Sequence, residues 1–86
     1  IGQRVTVAGV RQTSRRSRTS KGETMLFLTL EDLSGTLDVI VFPDAYRLAK
    51  PVVTSNHPML ITGILEFGKE QEKPFLKAEK IERVAR

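Results

Sequence analysis

The chain has 86 residues, no Cys, a single His and a formal net charge of +4. A chain of this length makes one domain with a small core to which every strand must contribute. The lack of Cys excludes a disulfide framework or a thiolate metal site, and no apolar run approaches the roughly 18 residues that a membrane-spanning helix needs. The sequence opens at Ile1 without a signal-peptide pattern, so the expectation is a single domain, residues 1–86, excised from a larger cytoplasmic chain.

Charge is unevenly distributed along the sequence. Residues 1–21 carry six bases and no acid, whereas residues 22–86 carry eight bases against ten acids. A basic excess at one end is the mark of a patch directed at an anionic partner. Most of it falls in "RQTSRRSRTSKGE", residues 11–23, with five Arg or Lys, one acid and no large apolar residue.

In chain order, "QRVTVAGV" alternates, with Val5 and Val7 on one side and Arg4, Thr6 and Ala8 on the other, which predicts a half-buried strand. Gly9 marks a bend or bulge. The basic run follows as the predicted loop to a second strand, "TMLFLTLED". There Leu26, Leu28 and Leu30 share the inner face, and Met25, Phe27, Thr29 and Glu31 the outer. "DLSG", residues 32–35, has hairpin-turn composition. The third strand, "TLDVIVF", turns Leu37, Val39 and Val41 inward and Asp38, Ile40 and Phe42 outward. Pro43 ends it. "PDAYRLAK" predicts a short helix with Asp44 as N-cap, Tyr46 plugging the barrel and Pro51 as terminator. After a loop comes "MLITGILEF", with Gly63 as a second bend, then the polar turn "GKEQEKP". "FLKAEKIERV" closes the chain, alternating Leu76, Ala78 and Ile81 against Lys77, Glu79 and Lys80. Five strands, a helix between the third and fourth, and glycines where strands must coil describe an all-β OB-fold, a five-stranded Greek-key barrel.

At "FLTLEDLSGTLDVIVFP", residues 27–43, the sequence resembles the OB domain towards the C-terminus of the bacterial DNA polymerase III alpha subunit. The wider group includes the anticodon-binding domains of class II lysyl-, aspartyl- and asparaginyl-tRNA synthetases. The likeness extends through "GQRVTVAGV", "HPMLITGIL" and "FLKAEKI". The synthetases commonly place an Arg before the Asp where this chain has Glu31, and "VFP" before a short helix is similar to the polymerase group. The resemblance implies a single-stranded DNA-binding module of a DNA-directed DNA polymerase whose active site lies elsewhere. It also implies that Phe27 stacks on a base, as the matching aromatic does in the synthetases.

Such a site needs a basic track for phosphates and exposed π-faces for bases. The candidates are Arg11, Arg15, Arg16, Arg18 and Lys21 in the basic run, with Phe27, Thr29, Asp38, Ile40 and Phe42 on the outer face of the second and third strands. Asp38 is available to accept from a base edge. Against these stand plainer roles: a solvated hairpin for the basic run, minor core for Phe27, packing against the helix for Phe42. Phe67 and Phe75 are expected to close the barrel end. Lys69 and Lys73 are nearly cancelled by Glu66, Glu70 and Glu72.

His57, beside a Pro in a loop, is expected to be structural or solvated. No nucleophile–base pair, metal-ligand spacing or glycine-rich phosphate loop occurs, so no catalytic residue, metal, cofactor or small-molecule substrate is expected. Partners are then single-stranded DNA or RNA and neighbouring polymerase domains, with no membrane. Two alternatives remain: an anticodon or other RNA-binding domain, and a domain whose Phe27, Ile40 and Phe42 dock another replication subunit.

Overall fold

A computed structural model describes residues 2–32, 34–55, 57–67 and 73–84. Five strands and one helix follow in order: β1 Arg4–Arg18, β2 Thr24–Asp32, β3 Gly35–Val41, α1 Pro43–Val53, β4 Met59–Phe67 and β5 Pro74–Arg83. They close into a barrel in the order β1-β2-β3-β5-β4, all neighbours antiparallel except β3 and β5, which run parallel. This is the five-stranded OB barrel expected from the alternation. The turn predicted between the last two strands, with Lys69, Glu70 and Glu72, lies outside the described residues.

The alternating residues fill the interior as their spacing requires. Leu26, Leu28 and Leu30 of β2 meet Val39 and Val41 of β3, Met59 and Ile61 of β4, and Leu76, Ala78 and Ile81 of β5. Tyr46, Ala49 and Val53 of α1 complete the core as the helix packs on β5 and β2. From β1, only half-buried Val5 and Val7 pack against this cluster.

Two features of β1 and α1 correct the expectations. First, the basic run is not a loop. β1 continues through Arg18, pairing with β4 over Arg4–Gly9 and with β2 over Val10–Arg18. No large apolar residue is needed there, because the backbone ladder holds β1 to β2 while its own side chains from Gln12 to Arg18 stay exposed on both faces. Second, Pro43 is the first helical residue and Phe42 occupies the N-cap, so Asp44 lies in the first turn and its side chain does not cap. Pro51 lies inside the helix, which ends two residues later. It removes one hydrogen bond near an end that is closed by other groups. Thr54 Oγ1 donates to the Lys50 carbonyl at 2.8 Å, Ser55 Oγ to that of Val52 at 2.7 Å, and Arg11 to that of Val53 at 2.9 Å.

Gly9 stands where a strand changes partner and Gly63 where the register between two strands shifts. At Gly9, where β1 passes from β4 to β2, a Cβ would lie 2.5 Å from the Glu31 carbonyl oxygen and 2.9 Å from Leu30 Cγ. At Gly63, a Cβ would overlap the Lys77 carbonyl oxygen and sit 2.9 Å from its carbon. The register between β4 and β5 shifts at this point, from Thr62 opposite Lys80 to Gly63 opposite Ala78. Glu79 is the extra residue of that bulge. Its carboxylate accepts from Arg4 Nε at 2.8 Å and from Arg4 Nη2 at 3.4 Å, which ties β5 to β1.

Gly63→Val should therefore force the β4 and β5 backbones apart. The expected cost is on the order of 1–3 kcal/mol. In thermal unfolding followed by circular dichroism it would appear as a fall in Tm of roughly 5–20 °C.

Two carboxylates also make stability depend on pH. In the β2–β3 turn, Asp32 Oδ1 accepts from Ser34 Oγ and Ser34 N, both at 2.8 Å, and from Gly35 N at 3.1 Å. Those bonds, led by the Ser34 hydroxyl, hold its carboxyl below the usual carboxylate range. The hydrogen bond from Arg4 does the same for Glu79. Both groups bind protons less readily in the folded than in the unfolded chain. Their contribution is complete above the unfolded value near pH 4 and is lost as pH falls through the lower folded values. An Asp32→Ala, Glu79→Gln variant should be less stable at pH 7 but lose stability less steeply between about pH 5 and pH 2, measured by urea unfolding.

Candidate nucleic-acid interface

One extra residue in β1 determines what the basic run presents. Arg11 pairs with Leu30 but Thr13 with Thr29, so Gln12 is bulged out. Before the bulge, Val5, Val7 and Arg11 point inward; after it the parity reverses. Thr13, Arg15 and Ser17 join the outer face of β2, opposite Thr29, Phe27 and Met25. Ser14, Arg16 and Arg18 lie on the inner side, opposite Leu28, Leu26 and Thr24.

The outer face is then a grid whose rows run across four strands. One row holds Thr13, Thr29, Asp38 and Phe75; the next holds Arg15, Phe27, Ile40 and Lys77. All of these but Lys77, which stands beside Ile40 at the end of its row, line a groove of about 430 Å³ floored by Phe27, Ile40 and Phe75. The Arg15 guanidinium lies over the Phe27 ring, 5.2 Å from its centroid, and Lys77 Nζ lies 5.2 Å from that of Phe42. Both are within cation–π range, so each end of the apolar strip carries a cation held against an aromatic ring. Thr29 Oγ1 stands 3.5 Å from Asp38 Oδ1, at the middle of the groove.

The structure brings together Arg15, Phe27, Thr29, Asp38 and Ile40 of the residues singled out from sequence. Phe42 stands beside them at the N-cap of α1 and is 37% exposed. The other basic candidates stand apart. Arg11 is turned to the helix C-terminus, where it donates to Val53. Arg16 and Arg18 are on the reverse of the β1–β2 ribbon, and Lys21 is in the turn at its tip.

That turn is organised by Thr19, whose Oγ1 accepts from Lys21 N at 3.3 Å and Glu23 N at 3.2 Å. Sequence reasoning missed Thr13, Phe75 and Lys77. Phe75 does not close the barrel end; it lies on the groove floor, while Phe67 is 46% exposed. Phe75 and Lys77 do alternate with buried Leu76 and Ala78. Their value to the site appears only once β5 is known to lie beside β3.

Across residues 5–84 the chain matches the family model described as an OB-fold nucleic acid binding domain. The chain belongs to that family. Two curated relatives place this OB domain among polymerase sequences. It is 43% identical over 68 residues to the error-prone DNA polymerase of Cutibacterium acnes, covering 79% of this chain. It is 31% identical over 72 residues to the DNA polymerase III subunit alpha of Halalkalibacterium halodurans, covering 84% of this chain.

The OB domain spans only about 6% of the length of either polymerase. Among solved structures it is similar in fold to Rim1, a mitochondrial single-stranded DNA binding protein of S. cerevisiae. That match has a TM-score of 0.71 and 9% identity, over 98% of this chain and 97% of the other. Among the described residues, no group of three or more His, Cys, Asp or Glu is placed to hold a metal ion. Nor is any helix there long and apolar enough to cross a membrane.

Proposed function

We propose that this OB domain binds single-stranded DNA as a non-catalytic module of a bacterial replicative DNA polymerase in the cytoplasm, holding template near an active site located elsewhere in the parent chain. The observation that carries the reading is the outer-face grid: a groove floored by Phe27, Ile40 and Phe75, with Arg15 in its lining and Lys77 beside Ile40 at the end of the same row.

Flat apolar rings accept any base by stacking, and flanking cations meet the phosphates, which is what sequence-tolerant single-strand binding requires. A base stacking on Phe27 takes the place now held by the Arg15 guanidinium, which swings to the adjacent phosphate. Thr13 and Thr29 offer hydroxyl donors to the same backbone. Asp38 is an acceptor and faces the groove, so it favours a base that presents an amino donor, such as the N4 amine of cytosine, over the O4 carbonyl of thymine.

Anisotropy titration of a labelled oligo-dT of about twelve nucleotides tests the reading. Binding should weaken as salt rises, through counterion release. Phe27→Ala should reduce affinity by about 5- to 150-fold, the loss of one stacked base. An apolar dock for another subunit would instead leave the chain without affinity for the oligomer, and a 2′-hydroxyl preference over the matched DNA would favour the RNA-binding alternative.

A second titration isolates Asp38. Oligo-dC should bind about tenfold more tightly than oligo-dT of the same length, and Asp38→Ala should erase the difference.

A further inference from the structure

The groove is poor in net charge for a site that holds a phosphate chain. Arg15 is the cation of its lining and Lys77 stands beyond Ile40 in the same row, but Asp38 occupies the adjacent row, where Glu66 stands opposite Phe75. The basic excess of the sequence is therefore elsewhere. Arg16 and Arg18 lie exposed on the reverse side of the ribbon, across from buried Leu26 and from Thr24, and Thr24 lines a shallow hollow with Tyr46, Arg47 and Lys50 of α1. Arg47 is neutralised there by Glu23, at 3.3 Å, and by Asp44. Arg16, Arg18, Lys21 and Lys50 take part in none of the ion pairs among the described residues.

The ribbon that separates the two faces is thin. β2 pairs with β3 only from Leu26 onward, so Ser17 and Arg18 with Thr24 and Met25 form a two-stranded tip. Along Val10–Arg18, β1 pairs with β2 and not with β4, which leaves its outer edge uncovered by any described strand. Every residue from Gln12 to Arg18 is exposed.

We propose that a single strand bound in the groove passes over this free edge of β1 and continues along the reverse face, where Arg16, Arg18 and Lys21 neutralise its phosphates. This rests on the groove reading and extends it. The front face stacks bases with little net charge, and the reverse face supplies the electrostatic attraction without base contact. The free β1 edge, with its Ser and Arg side chains, is the crossing point. The ligand of the reverse face is the sugar-phosphate backbone of the same strand, so occupancy depends on length.

Oligo-dT of about six nucleotides, near the lower end of OB site sizes, should fill the groove alone; about fifteen, near the upper end, should reach both faces. Anisotropy titrations of both oligomers at several salt concentrations would compare wild type, an Arg16→Ala/Arg18→Ala double variant, its Lys/Lys counterpart, and Phe27→Ala. The Ala double variant should bind the fifteen-mer about tenfold more weakly at low salt. Its slope of log affinity against log salt should fall by about 1.4, two phosphates' worth for a single strand. Its affinity for the six-mer should stay within about twofold of wild type, the Lys variant should restore the slope, and Phe27→Ala should weaken both oligomers.

An unchanged fifteen-mer slope in the Ala variant, or an equal loss on the two lengths, overturns the crossing while the groove reading stands. If wild type binds neither oligomer, both fall. Arg16 and Arg18 are exposed and outside the core, and unchanged Tm of the Ala variant certifies its fold.

Discussion

The barrel depends on one strand serving two neighbours. β1 gives its first half to β4 and its second half to β2, and this shared pairing joins the two sides of the sheet into a closed barrel. A strand can turn that corner only if its backbone comes close to the neighbour it is leaving and the one it is joining. Gly9 allows the approach to Glu31, and Gly63 allows the corresponding approach between β4 and Lys77 of β5. The Arg4–Glu79 pair then bridges β1 and β5 from outside. It is exposed and contributes little by itself, but it holds the bulged residue in place.

The same strand links architecture to the candidate site. Past the corner, β1 leaves the core, and from Gln12 to Arg18 its side chains are exposed on both faces although those of Leu26 and Leu28 across the ladder stay buried. The bulge at Gln12 then assigns each arginine to a side. Arg15 settles over Phe27, Arg11 turns inward to cap α1, and Arg16 and Arg18 face the helix side. A run that reads as uniform positive charge is thus divided among three tasks. Its Arg content suits this division, since a planar guanidinium can stack on a ring or donate to a carbonyl as readily as it meets a phosphate.

The family match and the groove point the same way by independent routes. The match rests on sequence across residues 5–84, with polymerase relatives at 43% and 31% identity. The likeness to Rim1, at 9% identity, concerns the shape of the barrel alone. The groove rests on where three adjacent strands and β1 set their outward residues. Exposed rings, hydroxyls and ring-held cations are the components a general single-strand binder needs, and the groove sets them around a single acid, Asp38.

Strand faces were legible in the sequence because a two-residue period is local. Leu26, Leu28 and Leu30 had to be buried together, and Phe27 and Thr29 had to share the other side, whatever the strand paired with. The helix between β3 and β4 and the glycine bends were legible for the same reason, and so was the concentration of positive charge in residues 11–21. Tertiary structure alone decided the rest. A bulge at Gln12 has no sequence mark, since the extra residue is defined by the partner strand, yet it sends Arg15 and Arg16 to opposite faces. The parallel pairing of β3 with β5 joins residues some 37 positions apart, Asp38 and Phe75, and so places Phe75 in the groove and Lys77 beside Ile40 at its margin. The extent of Pro51's helix followed from caps donated by Arg11, Thr54 and Ser55, of which Arg11 comes from 42 residues away. Alternation along a strand fixes which residues share a side; only pairing between strands fixes which of them meet.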